Sequence, residues 1–109
     1  MEMIIVLTTV PNEQEASELA GKIVGERLAA CVQILPKMRS VYVWEGSVQR
    51  EEEHLLLIKT LEERYAELEA FIVENHSYGT PEIVAVPAGP VFGAYLNWVR
   101  EEVRDADRS

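Results

Sequence analysis

The chain has 109 residues and a single cysteine, Cys31. One thiol excludes any disulfide within the chain and suits a reducing compartment. Basic residues are also scarce: 10 Lys and Arg stand against 19 Asp and Glu, for a net charge of −9. With no basic stripe, so acidic a surface is repelled by phosphate backbones and anionic lipid, so no nucleic-acid partner and no membrane is expected. The start, Met1-Glu2-Met3, lacks a basic region and leads into only a short apolar run to Leu7, which reads as a strand and not as a secretory leader. No later apolar run is long enough to cross a bilayer. A cytoplasmic protein is the expectation. Also missing are a glycine-rich loop before a helix, a Gly-x-Ser-x-Gly elbow and a Cys-x-x-Cys pair. Without a nucleophile motif or cofactor signature, an enzyme is not expected, and function must rest on scattered residues.

What is present is an ordinary globular composition, 48% hydrophobic, sized for one domain over residues 1–109. The stretch 29–60 dominates it. Val41-Tyr42-Val43-Trp44 and Val48 through Leu55-Leu56-Leu57-Ile58 flank a Glu45-Gly46-Ser47 break, the pattern of one antiparallel hairpin. About a dozen residues per arm give roughly 40 Å of strand. A domain of this length has a radius of gyration of about 13 Å. The tip, with Tyr42, Trp44 and Val48, must therefore project beyond the body, and exposed edges and aromatics of this kind call for a second chain. The reading is a closed homo-oligomer built on these arms.

The remaining elements follow in order. Residues 3–9 form a strand, apolar on both faces and ended by Pro11. Asn12 with Glu15 makes a capping box, and Ala16, Leu19, Ala20, Ile23, Val24 and Leu28 form the inward stripe of the first helix. The second strand runs from Ala29 through Cys31 and Ile34, with a bulge or bend at Pro36. Thr60 with Glu63 suggests a second capping box, and Leu61, Tyr65, Leu68, Phe71 and Ile72 an apolar stripe on a helix that stops near His76. Residues 77–81 form a breaker-rich loop, 82–87 a short strand apolar on both faces, and Ala88-Gly89-Pro90 a turn. A last helix turns Phe92, Tyr95, Leu96 and Val99 inward with Trp98 at its flank, and residues 101–109 are expected to fray. The fold class is α+β: a ferredoxin-like βαββαβ sandwich with a long central hairpin and an extra C-terminal helix. If helices cover one face of the sheet, apolar residues on the other need a partner subunit.

Chemistry rests on few side chains. Cys31 is a small hydrophobe in an apolar strand or a soft-metal ligand. His76 ends a helix, where it caps the dipole or serves as ligand or proton carrier, whereas His54, after three glutamates, reads as surface. Glu82 opens an apolar strand after a proline and could pair with Lys59. Tyr95 and Trp98 lie one helical turn apart, as core or as a ligand platform.

Glu26-Arg27-Leu28-Ala29-Ala30-Cys31-Val32, Ser40-Val41-Tyr42-Val43-Trp44-Glu45-Gly46, Leu57-Ile58-Lys59-Thr60, His76-Ser77-Tyr78, Pro81-Glu82-Ile83 and Tyr95-Leu96-Asn97-Trp98 occur in order over nearly the whole chain. Together they resemble the CutA family of divalent-cation tolerance proteins. The resemblance implies a ferredoxin-like protomer, a tight homotrimer with hairpins paired across subunits, and weak binding of copper or another divalent cation. It also implies an architecture similar to the trimeric nitrogen-regulatory signalling proteins, which keeps a small-molecule sensor, or an unknown protein partner, as the alternative. By the same resemblance Cys31 and His76 match positions suspected of touching metal, and Lys59, Tyr78, Glu82 and Trp98 match positions that line a cleft between subunits. From the residues themselves Glu82 joins the metal candidates and Tyr95 the cleft candidates, and Tyr42, Trp44 and Val48 at the hairpin tip are the candidates for the trimer interface. The family commonly places proline between the histidine and the tyrosine and an acid after the tyrosine. Ser77 and Gly79 stand there, so a loosened loop is expected.

Overall fold

One strand, β4 (Ser47–Leu61, 15 residues), runs the length of the molecule, and every other strand is paired to it except β5, which is paired to its neighbour β1 (Met3–Val10). The computed structural model describes residues 2–103. The remaining strands are β2 (Cys31–Ile34), β3 (Met38–Trp44) and β5 (Val84–Pro87), and the helices are α1 (Glu13–Gly25), α2 (Tyr65–Asn75) and α3 (Gly93–Glu102). The sheet order is β2-β4-β1-β5, wholly antiparallel, with β3 paired to the distal half of β4. This is the expected ferredoxin-like α+β sandwich with its long hairpin. The longest dimension, 46 Å against 27 and 22 Å, matches a β4 of this length.

The expected bend at Pro36 is a bulge. β2 meets β4 as Cys31↔Lys59 to Ile34↔Leu56, whereas β3 meets it from Met38↔Glu53 onward. Three residues, Leu35 to Lys37, therefore oppose two, His54 and Leu55, because proline has no N–H for the ladder. At the far end Glu45 (φ 51°) and Gly46 (φ 81°) make the left-handed pair of a two-residue hairpin turn.

Alternation along the strands sorts the two faces. Val6, Val10, Leu56 and Ile58 point at α1 and α2 and pack with Ile23, Leu68 and Ile72, all fully buried. Each such side chain contributes about 1.5–3 kcal/mol of gross burial. α1 starts as expected, with Asn12 Oδ1 accepting from the Glu15 N–H at 2.8 Å. It ends earlier than its apolar stripe. Arg27 takes a left-handed φ of 61°, and the Leu28 and Arg27 N–H groups donate to the Ile23 and Val24 carbonyls at 3.1 and 3.0 Å, closing a Schellman motif. Val24 consequently lies on the exposed side, 41% accessible, and not in the stripe.

Three further expectations are corrected. Thr60 does not cap a helix: it stays in β4, and its hydroxyl donates across the sheet to the Leu28 carbonyl at 2.7 Å, so α2 is entered through a 3-10 turn at Glu62–Arg64. The last strand starts at Val84, leaving Glu82 in the preceding loop, and all four β5 residues are exposed because the strand is a sheet edge. Phe92 is 79% exposed, since it sits at the N-cap of α3 rather than within the helix. α3 instead lays Val99, Tyr95 and Leu96, with Val103 beyond its end, over Met3 and Leu61 on the face opposite α1 and α2. Glu101 and Glu102 thus belong to the helix and Val103 to its core, while the rest of the tail expected to fray, 104–109, lies outside the described residues.

Candidate functional site

α3 covers only one end of its face of the sheet, and the candidate residues gather at the two ends of what is left. At the α3 end, Cys31, Lys59, Ile5 and Val86 follow one another across the strands. The Lys59 Nζ stands 5.7 Å from the Tyr95 ring centroid, a cation–π distance. Tyr95 in turn meets Trp98 at 5.6 Å between centroids. Lys59, Tyr95 and Trp98 are thereby brought together, with the half-buried thiol of Cys31 opposite Lys59 on the neighbouring strand. Lys59 has no ion pair with Glu82 among the described residues.

The other end is built around the loop after α2. His76 Nδ1 accepts the Tyr78 N–H at 3.0 Å, which leaves the ring hydrogen on Nε2 to donate to the Thr9 carbonyl at 2.8 Å. The Tyr78 hydroxyl donates to Glu53 at 2.8 Å, and Tyr42 donates to Glu51 at 2.6 Å one step further along the hairpin. Burial first, then the bond to Glu53 and that carboxylate's charge, push the Tyr78 phenol far above its ordinary value. Tyr42 is raised as well, chiefly by its bond to Glu51. The loop is not loosened: Glu15 accepts both the Ser77 N–H (3.0 Å) and its hydroxyl (2.8 Å). A serine with its own N–H supplies by hydrogen bonding the order that a proline would supply by its ring.

Tyr78 therefore stands apart from the other three cleft candidates, because Glu53 and Lys59 are six residues, about 20 Å, apart on β4. Nor does the protomer gather the metal candidates. Cys31 lies on one edge of the sheet and Glu82 precedes the strand on the other, three spacings or about 14 Å away. His76 has both ring nitrogens engaged by backbone. Among the described residues no three His, Cys, Asp or Glu side chains are grouped to hold a metal ion. Tyr42, Trp44 and Val48 do project at the hairpin end, Trp44 and Val48 at 55% and 57% exposed.

Two residues escaped the sequence reading. Glu53, one of the three glutamates before His54, is only 7% exposed, and no local signal marks it: Glu53 shares a strand face with Leu55 and Leu57, but Glu52 shares one with Leu56 and Ile58, so alternation does not choose between them. His54 is half-buried, its Nδ1 3.0 Å from the carbonyl of Leu35. Leu35 is the first residue of the bulge.

The model of the CutA1 divalent ion tolerance protein family matches residues 4–102. The chloroplastic protein CutA 1 of Oryza sativa subsp. japonica is 44% identical over 103 residues, 94% of this chain and 58% of that protein. The divalent-cation tolerance protein CutA of Thermus thermophilus is 44% identical over 97 residues, 89% of this chain and 94% of that one. The chain spans little more than half the length of the plant relatives, 58% for the rice protein and 56% for the chloroplastic CutA of Arabidopsis thaliana. The crystal structure of CutA1 from Oryza sativa superposes with a TM-score of 0.94 at 42% identity, covering 97% of both chains. That of the Thermus thermophilus protein gives 0.91 at 42% identity over 94% of this chain and 99% of the other.

Proposed function

We propose, from the premise that this chain belongs to the CutA1 divalent ion tolerance family, that it works as a homotrimer that holds copper or another divalent cation weakly, in metal tolerance. The observation that carries this reading is the incompleteness of the protomer. Among the described residues β3 pairs only with β4, which leaves its outer edge open, as is the edge of β4 beyond the end of β1. Val41, Val43, Trp44 and Val48 around those edges are 55–68% exposed, and β5 leaves Val84 and Val86 bare on the opposite flank. Open edges and apolar surface of this extent are covered by pairing with further chains. On this reading the Lys59, Tyr95 and Trp98 end of one copy and the Tyr78 and Glu53 end of the next are the two sides of a cleft between subunits. Sedimentation at micromolar concentration tests the assembly, with a trimer expected and a monomer refuting it.

For the cation, names of relatives such as divalent-cation tolerance protein support the class of ligand, and the chemistry of the side chains narrows it. Thiolate and imidazole favour copper and zinc over magnesium or calcium. With no three-donor cluster among the described residues of the protomer, the affinity on this reading is modest. Calorimetric titration with Cu2+ and Zn2+ is expected to show weak binding, reduced in Cys31→Ser and in Glu82→Gln if these donors meet across subunits. A second reading draws on one contact. Lys59 above the Tyr95 ring, with Trp98 beside it, suits a planar anionic metabolite. A thermal-shift screen in which some such compound stabilises the wild type but not Lys59→Ala supports that reading, and none doing so removes it.

A further inference from the structure

We propose that residues 76–78 are a clamp that fixes the direction in which the hairpin arm leaves the body, and that Tyr78 serves in it, through Glu53, as a positioning residue for assembly. The inference rests on the assembly reading above and deepens it. β4 changes both of its neighbours at one place. β1 ends where Val10 faces His54, and β2 gives way to β3 across the bulge, between Ile34↔Leu56 and Met38↔Glu53. From Glu53 outward the arm is a two-stranded ribbon, β3 with the distal half of β4, and two strands twist and bend more readily than a sheet of four. The lever is long. Glu53 and Ser47 at the turn are six positions apart, roughly 20 Å, so a swing of about 15° at the joint carries the tip roughly 5 Å, one strand spacing. An arm that pairs with another chain in register needs that joint held.

Three consecutive residues hold it, each on a different element. His76 Nε2 donates to the Thr9 carbonyl near the end of β1. Ser77 gives its N–H and its hydroxyl to Glu15 in the first turn of α1. Tyr78 donates its hydroxyl to Glu53 at 2.8 Å, the one side-chain hydrogen bond among the described residues that enters the arm from outside the hairpin. The base of this strut is itself fixed, because the Tyr78 N–H donates to His76 Nδ1 at 3.0 Å and the two rings lie 4.8 Å apart between centroids. Its far end is fixed by burial. Glu53 is nine-tenths buried and has no ion pair among the described residues, so without the phenol its carboxylate regains a partner only by opening the joint to water.

Amide hydrogen exchange read by mass spectrometry tests this on the intact chain, at a concentration where wild type and variants sediment as the same species. Tyr78→Phe keeps the ring beside His76 and removes only the hydroxyl, whereas Glu53→Gln keeps an oxygen that accepts from the phenol and removes only the charge. Expected in Tyr78→Phe is exchange about three- to tenfold faster over residues 38–53, with residues 56–60 protected as in the wild type, and weaker association on dilution. Glu53→Gln should match the wild type in both. Unchanged exchange over 38–53 in Tyr78→Phe overturns the clamp. So does protection lost equally over 56–60, or an arm loosened as far by Glu53→Gln, since the hydroxyl would then hold the whole protomer or the charge would hold the joint. A looser arm with undiminished association overturns the positioning role. A wild type that sediments as a monomer refutes the assembly reading, and exchange over 38–53 still decides the clamp.

Discussion

The two halves of β4 are held by different things. Its C-terminal half lies between β1 and β2 under two helices, and Leu56 and Ile58 are completely buried there. Its N-terminal half has, among the described residues, a single neighbour, β3, and keeps Val48 57% exposed opposite Val43 at 68%. One half is finished by the chain itself. The other carries the same β-branched and aromatic residues with nothing of its own to put against them, so stability and assembly should respond to different substitutions.

The largest expected effect is in the finished half. Leu56→Ala, at a fully buried site there, should cost about 2–5 kcal/mol in urea unfolding, and a cost below about 1 kcal/mol would erase the contrast. Next is the unfinished half: Trp44→Asp should leave the far-ultraviolet circular dichroism spectrum intact yet weaken association by about 2 kcal/mol, roughly 30-fold, by sedimentation. Unfolding of the protomer by that change would mean that the hairpin end is part of the core after all. Asn12→Ala removes the cap from α1 and should lower stability by about 1 kcal/mol with no change in subunit number.

Smallest at neutral pH is Tyr78→Phe, at roughly 0.5 kcal/mol, although Tyr78 ties the loop after α2 to Glu53 on the hairpin side. Its signature is in alkali. The folded protein holds the Tyr78 proton above the phenol's ordinary value of 10.0, so its contribution is complete below about pH 10 and is lost as pH rises beyond it. Tyr78→Phe should flatten that decline in melts between neutral and strongly alkaline pH. An unchanged slope would show that the hydroxyl is not held there.

Local signals carried much of this architecture. Asn12 with Glu15 marked the start of α1, Gly46 the turn, and Pro36 the interruption between β2 and β3, because each acts through its immediate neighbours. The misreadings share a different origin. Thr60 had the spacing of a cap, but a carbonyl 32 residues away claimed its hydroxyl. Phe92 and β5 are apolar yet exposed, since hydrophobicity reports that a surface must be covered and not by which chain. For the candidate site, residue types were legible and convergence was not. Lys59, Tyr95 and Trp98 meet, while Cys31, His76 and Glu82 are scattered by a strand order that no local pattern encodes. His54 became visible only through its contact with the Leu35 carbonyl.

The odd residue at Pro36 also absorbs a count. Paired residues share a face, so Ile34, opposite Leu56, and Met38, opposite Glu53, emerge on opposite sides, although an unbroken strand would put residues four apart on the same side. Removing one residue from the kink would leave every pair of the ladder in place, Tyr42 with Gln49 and Trp44 with Ser47 included. A relative that lacks the insertion would therefore offer the same set of side chains to a chain lying alongside and differ only in how the arm is angled from the body.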